Sequence, residues 1–110
     1  MNWSKIESIE QVNQLFENSI DFPQLIFKHS TRCSISSMAL RRAEDYLPIP
    51  NLAPHYLDLI QYREVSNFIS SISGVVHQSP QAILIKNKKV IYHQSHGSID
   101  WPVIKELCLN

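Results

Sequence analysis

The chain predicts an α/β domain, a four-stranded mixed sheet with helices on both faces. Three observations carry this. Short apolar runs alternate with amphipathic segments at helical spacing. The runs Gln24–Lys28 and His55–Ile60 lack an alternating polar face, as suits strands covered on both sides. The last two runs, Ala82–Lys86 and Val90–His93, are separated only by Asn87-Lys88-Lys89, short enough for an antiparallel hairpin.

Each element has a local reason. Ser8 with Gln11 resembles a capping box, and Ile9, Val12, Leu15 and Phe16 follow at helical spacing, so a first helix is expected over about 8–19. Pro23 breaks it before the Gln24–Lys28 strand. Ser30 or Thr31 can cap a second helix, with Ile35, Met38, Ala39, Arg42, Ala43, Tyr46 and Leu47 on one broad side. Pro48, Pro50 and Pro54 make the following connection non-helical. His55–Ile60 is then a central parallel strand. Val65, Phe68, Ile69 and Ile72 mark the core face of a third helix, stopped by Gly74. After the hairpin, Ser98 or Asp100 caps a last helix carrying Val103, Ile104 and Leu107. Right-handed crossovers leave few arrangements for this order. The one that fits resembles the thioredoxin fold.

Composition narrows the function. A chain of 110 residues fits one domain, 1–110, with one core. Ten basic residues balance ten acidic ones, so there is no general pull toward nucleic acid or anionic lipid. No apolar stretch approaches the roughly 20 residues that span a bilayer. The first residues lack a basic segment followed by an apolar run, so a cytoplasmic location is expected. In that setting Cys33 and Cys108 are not expected to form a structural disulfide.

The most informative segment is Leu25–Leu40. It reads as a strand, a polar turn and a helix whose first residues include Cys33. Unpaired N–H groups converge at a helix start and favour the thiolate, the reactive form of cysteine. Basic residues surround it: Lys28, His29 and Arg32 before, Arg41 and Arg42 after. Three positions beyond Cys33 stands Ser36 rather than a second cysteine. Its hydroxyl can donate to a thiolate but cannot close a disulfide, so Cys33 is expected to act as a monothiol.

The residues Phe27-Lys-His-Ser-Thr-Arg-Cys-Ser-Ile-Ser-Ser, with Tyr56-Leu-Asp-Leu-Ile and His77-Gln-Ser-Pro-Gln, resemble those of the monothiol bacilliredoxins, small thioredoxin-like proteins of the bacillithiol system. The resemblance runs from about Trp3 to Leu107. It implies a cytosolic enzyme that removes bacillithiol from S-bacillithiolated proteins, with no cofactor beyond bacillithiol as co-substrate and thiolated proteins as partners. It makes Cys33 the nucleophile and Ser36 a thiolate hydrogen-bond donor. Ser79-Pro80 stands where thioredoxin-like proteins carry a cis proline, and its backbone would be a ledge for an extended substrate. Lys28, His29 and Arg32 become candidates for acidifying Cys33 or contacting an anionic thiol, and His77 for a place near the site. One departure stands out. Ser34 follows the cysteine where the familiar motif has proline.

Other readings stay open on sequence alone. A monothiol glutaredoxin-like iron–sulfur carrier shares the cysteine and the serine three positions on, but has glycine and phenylalanine between them. A non-catalytic thiol sensor is a second alternative. His29 also suits a backbone-bonded turn, and Cys108, between Leu107 and Leu109, suits a passive buried thiol. No metal site is expected, since His93 and His96 have no evident third ligand. Trp3 and Trp101 are expected to be packing residues.

Overall fold

The computed structural model describes residues 3–32 and 34–109. In chain order it contains β1 (Ser4–Lys5), α1 (Ile9–Asn18), β2 (Gln24–His29), α2 (Ser34–Tyr46), β3 (Ala53–Asp58), α3 (Arg63–Ser73), β4 (Gln81–Lys86), β5 (Lys89–Ser95) and α4 (Trp101–Leu107), with a short 3₁₀ turn at His96–Ser98. The strands form one sheet in the order β1-β3-β2-β4-β5. β1, β3 and β2 run parallel, and β4 is antiparallel to both β2 and β5.

The sheet has five strands rather than four. The extra one, β1, is two exposed residues long and pairs Ser4 with His55 and Lys5 with Tyr56. Two residues carry no periodicity, so sequence pattern could not reveal them. Their effect is to make β3 an interior strand with parallel neighbours on both sides.

Alternation along β2 assigns the two cores. Leu25 and Phe27 pack with Ala39, Ala43, Leu47, Trp101, Ile104 and Cys108 beneath α2 and α4. Ile26 packs with Val12, Leu15, Val65 and Ile69 beneath α1 and α3. Trp101 is buried, and Trp3 lies against Phe27 with ring centroids 5.8 Å apart.

Helix ends follow the expected chemistry. Ser8 Oγ accepts the N–H of Gln11, whose own side chain accepts the N–H of Glu7. Asp100 Oδ1 accepts the N–H of Val103, making Asp100 and not Ser98 the cap of α4. Gly74 ends α3 at φ 73°, a left-handed conformation that costs glycine little. Asn87 and Lys88 take φ 52° and 65° in a two-residue hairpin turn. The loop is therefore one residue shorter than expected, and β5 begins at Lys89.

Three expectations change. α2 begins at Ser34, later than a Ser30 or Thr31 cap would give. Its buried stripe is Ser36, Ala39 and Ala43, while Ile35, Met38 and Tyr46 are exposed. Small side chains let the helix axis approach the sheet closely, and the bulky ones are then left on its flank. Strand β3 starts at Ala53 and ends at Asp58, two residues earlier at each end than expected. Asp58 Oδ1 accepts the N–H of Ile60, turning the chain out of the sheet.

Candidate functional site

Cys33 lies outside the described residues, so the site is defined by what surrounds its place in the chain, between exposed Arg32 and Ser34, the first residue of α2. β2 and β4 frame it. Lys28 pairs with Gln81, so the end of β2 lies beside the start of β4 and thus beside Ser79-Pro80. The Ser79–Pro80 bond is cis, as expected; Leu47–Pro48 is a second cis bond that the sequence did not suggest. Pro80 is buried, and its carbonyl accepts the N–H of His96 at 2.9 Å.

Ser36 is fully buried, and its Oγ accepts the backbone N–H of Ser30 at 3.1 Å. The hydroxyl therefore locks the first turn of α2 to the residue that follows β2. Among the described residues no acceptor takes its own proton.

The three basic candidates separate. Lys28 is 0% exposed, and points away from α2 into α3. Its Nζ donates to the Ser66 carbonyl at 3.2 Å and to Ser70 Oγ at 3.2 Å, and lies 3.3 Å from His77 Nδ1. Burial lowers its pKa to about 8. A side chain so enclosed does not touch a ligand arriving from solvent, which corrects that part of its expected role. The cause is strand alternation: Lys28 shares a face with Ile26, not with Phe27. Arg32, by contrast, is exposed.

His29 sits on the α2 face, buried at 3% exposure, with its ring 5.4 Å from that of Tyr56. Desolvation lowers its pKa, opposed by the Ser36 backbone and by the Asp58 carboxylate. It is therefore a neutral imidazole near pH 7, and its buried Nδ1 has no hydrogen-bond partner among the described residues. Its interaction with the Ser36 backbone fits the expected alternative of a backbone-bonded histidine.

His77 is half-buried and joins the Lys28 cluster, with Nδ1 3.2 Å from Ser66 Oγ. Its pKa is lowered by desolvation and by the charges of Lys28 and Arg63. Accepting from the Lys28 ammonium leaves Nδ1 unprotonated and places the ring proton on Nε2. Ser79 is half-buried, and its buried Oγ also has no partner among the described residues.

His96 is a neighbour of the site that sequence reasoning missed. Its sequence spacing suggests only a metal pairing with His93, yet its N–H bond to the Pro80 carbonyl sets it beside the ledge. The one available signal was its place after the hairpin, where the chain returns to the site end of the sheet. Among the described residues no three His, Cys, Asp or Glu side chains gather to hold a metal ion. Cys108 is buried at the opposite end, where the Lys86 charge acts on it. From Gln81 to Lys86 β4 advances about 17 Å at the usual strand rise.

Comparison with known proteins agrees with this geometry. A thioredoxin-fold protein described as a candidate oxidoreductase superposes with a TM-score of 0.83 at 29% identity, over 94% of this chain and 90% of that one. Thioredoxin from Malassezia sympodialis gives a TM-score of 0.74 at 15% identity, over 98% and 89% of the two chains. Thioredoxin from Trypanosoma brucei brucei gives 0.74 at 17% identity, over 96% and 86%. The latter two show the shared fold alone. No helix among the described residues is long and apolar enough to cross a membrane. The family model for the monothiol bacilliredoxin BrxC matches residues 4–104. With a thioredoxin fold and a serine closing its Cys-x-x-Ser motif, the chain is a redox thiol protein that belongs to the monothiol bacilliredoxin family.

Proposed function

We propose that this protein is a monothiol disulfide reductase that removes bacillithiol from S-thiolated proteins in the cytoplasm. The observation that carries the reading is Ser36 in a monothiol bacilliredoxin chain: a buried hydroxyl stands where a dithiol enzyme needs its second cysteine. Cys108, the other cysteine, is buried in the core beneath α2 and α4 at the far end of the sheet. A resolving thiol must therefore come from outside.

The chemistry follows. The Cys33 thiolate attacks the bacillithiol sulfur of the mixed disulfide. The Cys33–bacillithiol S–S bond forms as the original S–S bond breaks, and the protein sulfur leaves as a thiolate that takes a proton from water. A second thiol, small or protein-borne, then attacks the adduct and returns Cys33 to the thiolate. No net redox change occurs in the first step, and no cofactor is needed beyond bacillithiol.

Other residues have supporting parts. Ser36 can donate its proton to the thiolate while it accepts from Ser30. The bonds among the described residues leave the Ser79 backbone groups free to pair with an extended segment of substrate, beside Pro80. Arg32 is the exposed cation next to the thiol. His29 and His77 shape the two faces of the site as neutral imidazoles.

Intact-mass analysis after incubation with oxidised bacillithiol tests this. One bacillithiol adduct per chain is expected on the wild type and none on Cys33→Ser. Release of bacillithiol from a thiolated protein should be lost in Cys33→Ala; adduct formation without such release would leave only a sensor. A brown, cluster-bearing protein after anaerobic reconstitution with iron and sulfide would instead favour the carrier alternative.

A further inference from the structure

A groove runs from the start of α2 along its exposed flank. Ile35, Met38, Ala39 and Arg42 form one wall, at helical spacing i, i+3, i+4 and i+7, and His96 and Gly97 form the other. Its volume is about 160 Å³. Arg42 and Gly97 also border the next depression, which ends at Asp100 and Trp101. The α2 wall is apolar at Ile35 and Met38, each 56% exposed.

The ends of this groove are fixed. One lies beside Ser34, the residue after Cys33. At the other, Arg42 and Gly97 lead into the adjoining depression, where Asp100 caps α4 through Oδ1. The His96 wall cannot drift, because its N–H is bonded to the Pro80 carbonyl. His96 holds φ 55°, a conformation that an unbranched polar residue such as asparagine also tolerates.

The geometry points to this groove as the seat of the small thiol, with Arg42 and the His96 imidazole taking its carboxylate end while its sulfur is bonded to Cys33. This deepens the proposed function and rests on it. The reasons are charge and reach. Exposed Arg42 stands beside apolar Ile35 and Met38, a match for an anionic ligand with a carbon skeleton. It follows Ser34, the residue after Cys33, by eight residues, about 12 Å along the axis of α2. Its side chain tilts back toward the helix N-terminus, shortening that separation. Asp100 lies beyond Arg42 in the adjoining depression, where its carboxylate would repel a longer anion. The protein half of the mixed disulfide is then left to Ser79 and Pro80, so the two halves of one substrate have separate seats.

The test compares rates of adduct formation on Cys33 with three disulfides: oxidised bacillithiol and oxidised glutathione, both anionic, and cystamine, which is cationic. Arg42→Glu should lower the anionic-to-cystamine rate ratio about tenfold, the scale of one charge-assisted hydrogen bond. His96→Asn should shift the ratio in the same direction. A loss confined to one anionic disulfide supports the groove and identifies the thiol that fits it. A ratio within twofold of the wild type, while adducts still form, overturns the groove alone. So does an equal shift in Arg41→Glu, an exposed neighbour outside the groove, because the effect would then be general charge. A loss seen only with a thiolated protein and no small disulfide would assign the groove to protein substrates, against the proposal. If the wild type forms no adduct with any disulfide, the proposed function falls and the groove with it.

Discussion

The side-chain oxygen of Ser36 accepts the backbone N–H of Ser30 across 3.1 Å, joining the turn that carries the reactive position to the helix behind it. Ser36→Ala strands a partly buried donor, which costs about 1–3 kcal/mol. The urea midpoint should drop accordingly, and the melting temperature should fall by at least roughly 4 °C for a domain of this size. Adduct formation on Cys33 should persist at a reduced rate, since the nucleophile remains. An unchanged midpoint would mean that this bond does not hold the turn.

Lys28 yields a prediction with a definite sign. Its folded pKa is about 8 against 10.5 for an ordinary lysine. Below pH 8 it is charged in both folded and unfolded chains. Between pH 8 and 10.5 the unfolded chain still binds the proton and the folded chain does not, so this group adds stability as pH rises through that window. Relative to Lys28→Met, the wild type should gain about 3 kcal/mol from pH 7.5 to pH 10.5. Urea titrations of both proteins at the two pH values measure it. A constant difference would place the ammonium in contact with solvent.

The sequence pattern revealed four of the five strands and all four helices because burial imposes periodicity on them. β1 escaped because two exposed residues impose none. The motif Cys33-x-x-Ser36 was legible because chemistry fixes it residue by residue, as was the cis bond before Pro80 through the family resemblance. The orientation of Lys28 was also available, from alternation with Ile26, but a lysine at a strand end reads first as a surface charge. The exposure of Ile35 and Met38 was hidden, because Ser36, Ala39 and Ala43 form an equally regular stripe and only packing chooses between them. The approach of His96 to Pro80 depends on how the hairpin returns, which no local pattern encodes.

Histidines make the fold sensitive to acid. His55 lies within 2.7 Å of Gln24 Oε1; Gln24 uses its own nitrogen to donate to the Phe22 carbonyl, so His55 Nε2 is the donor. Burial lowers the His55 pKa to about 4, and His29 and His77 shift in the same direction. Above pH 6.5 all three are neutral in both states. As pH falls from 6.5 toward 4 the unfolded chain takes up protons that the folded chain refuses, and stability is lost. His55 alone accounts for about 3 kcal/mol over that window. His55→Gln, which preserves a donor to Gln24, should flatten the fall in urea midpoint between pH 7 and pH 4. An equally steep fall in the variant would exclude His55 as its source.

Cys108 should be chemically silent. It is 3% exposed among Trp101, Ile104 and Leu84, and desolvation raises its pKa more than the Lys86 charge lowers it. A buried thiol with little thiolate neither attacks disulfides nor reacts quickly with alkylating reagents. Titration of the native protein with a chromogenic disulfide should therefore count one fast thiol, and two after denaturation. Cys108→Ala should leave the fast phase and the bacillithiol adduct in place, at a cavity cost of about 1 kcal/mol. Cys33→Ser should remove the fast phase entirely. Two fast thiols in the native wild type, or an adduct that migrates to Cys108 on peptide mapping, would show that the terminal helix opens during turnover and that the resolving partner is internal after all.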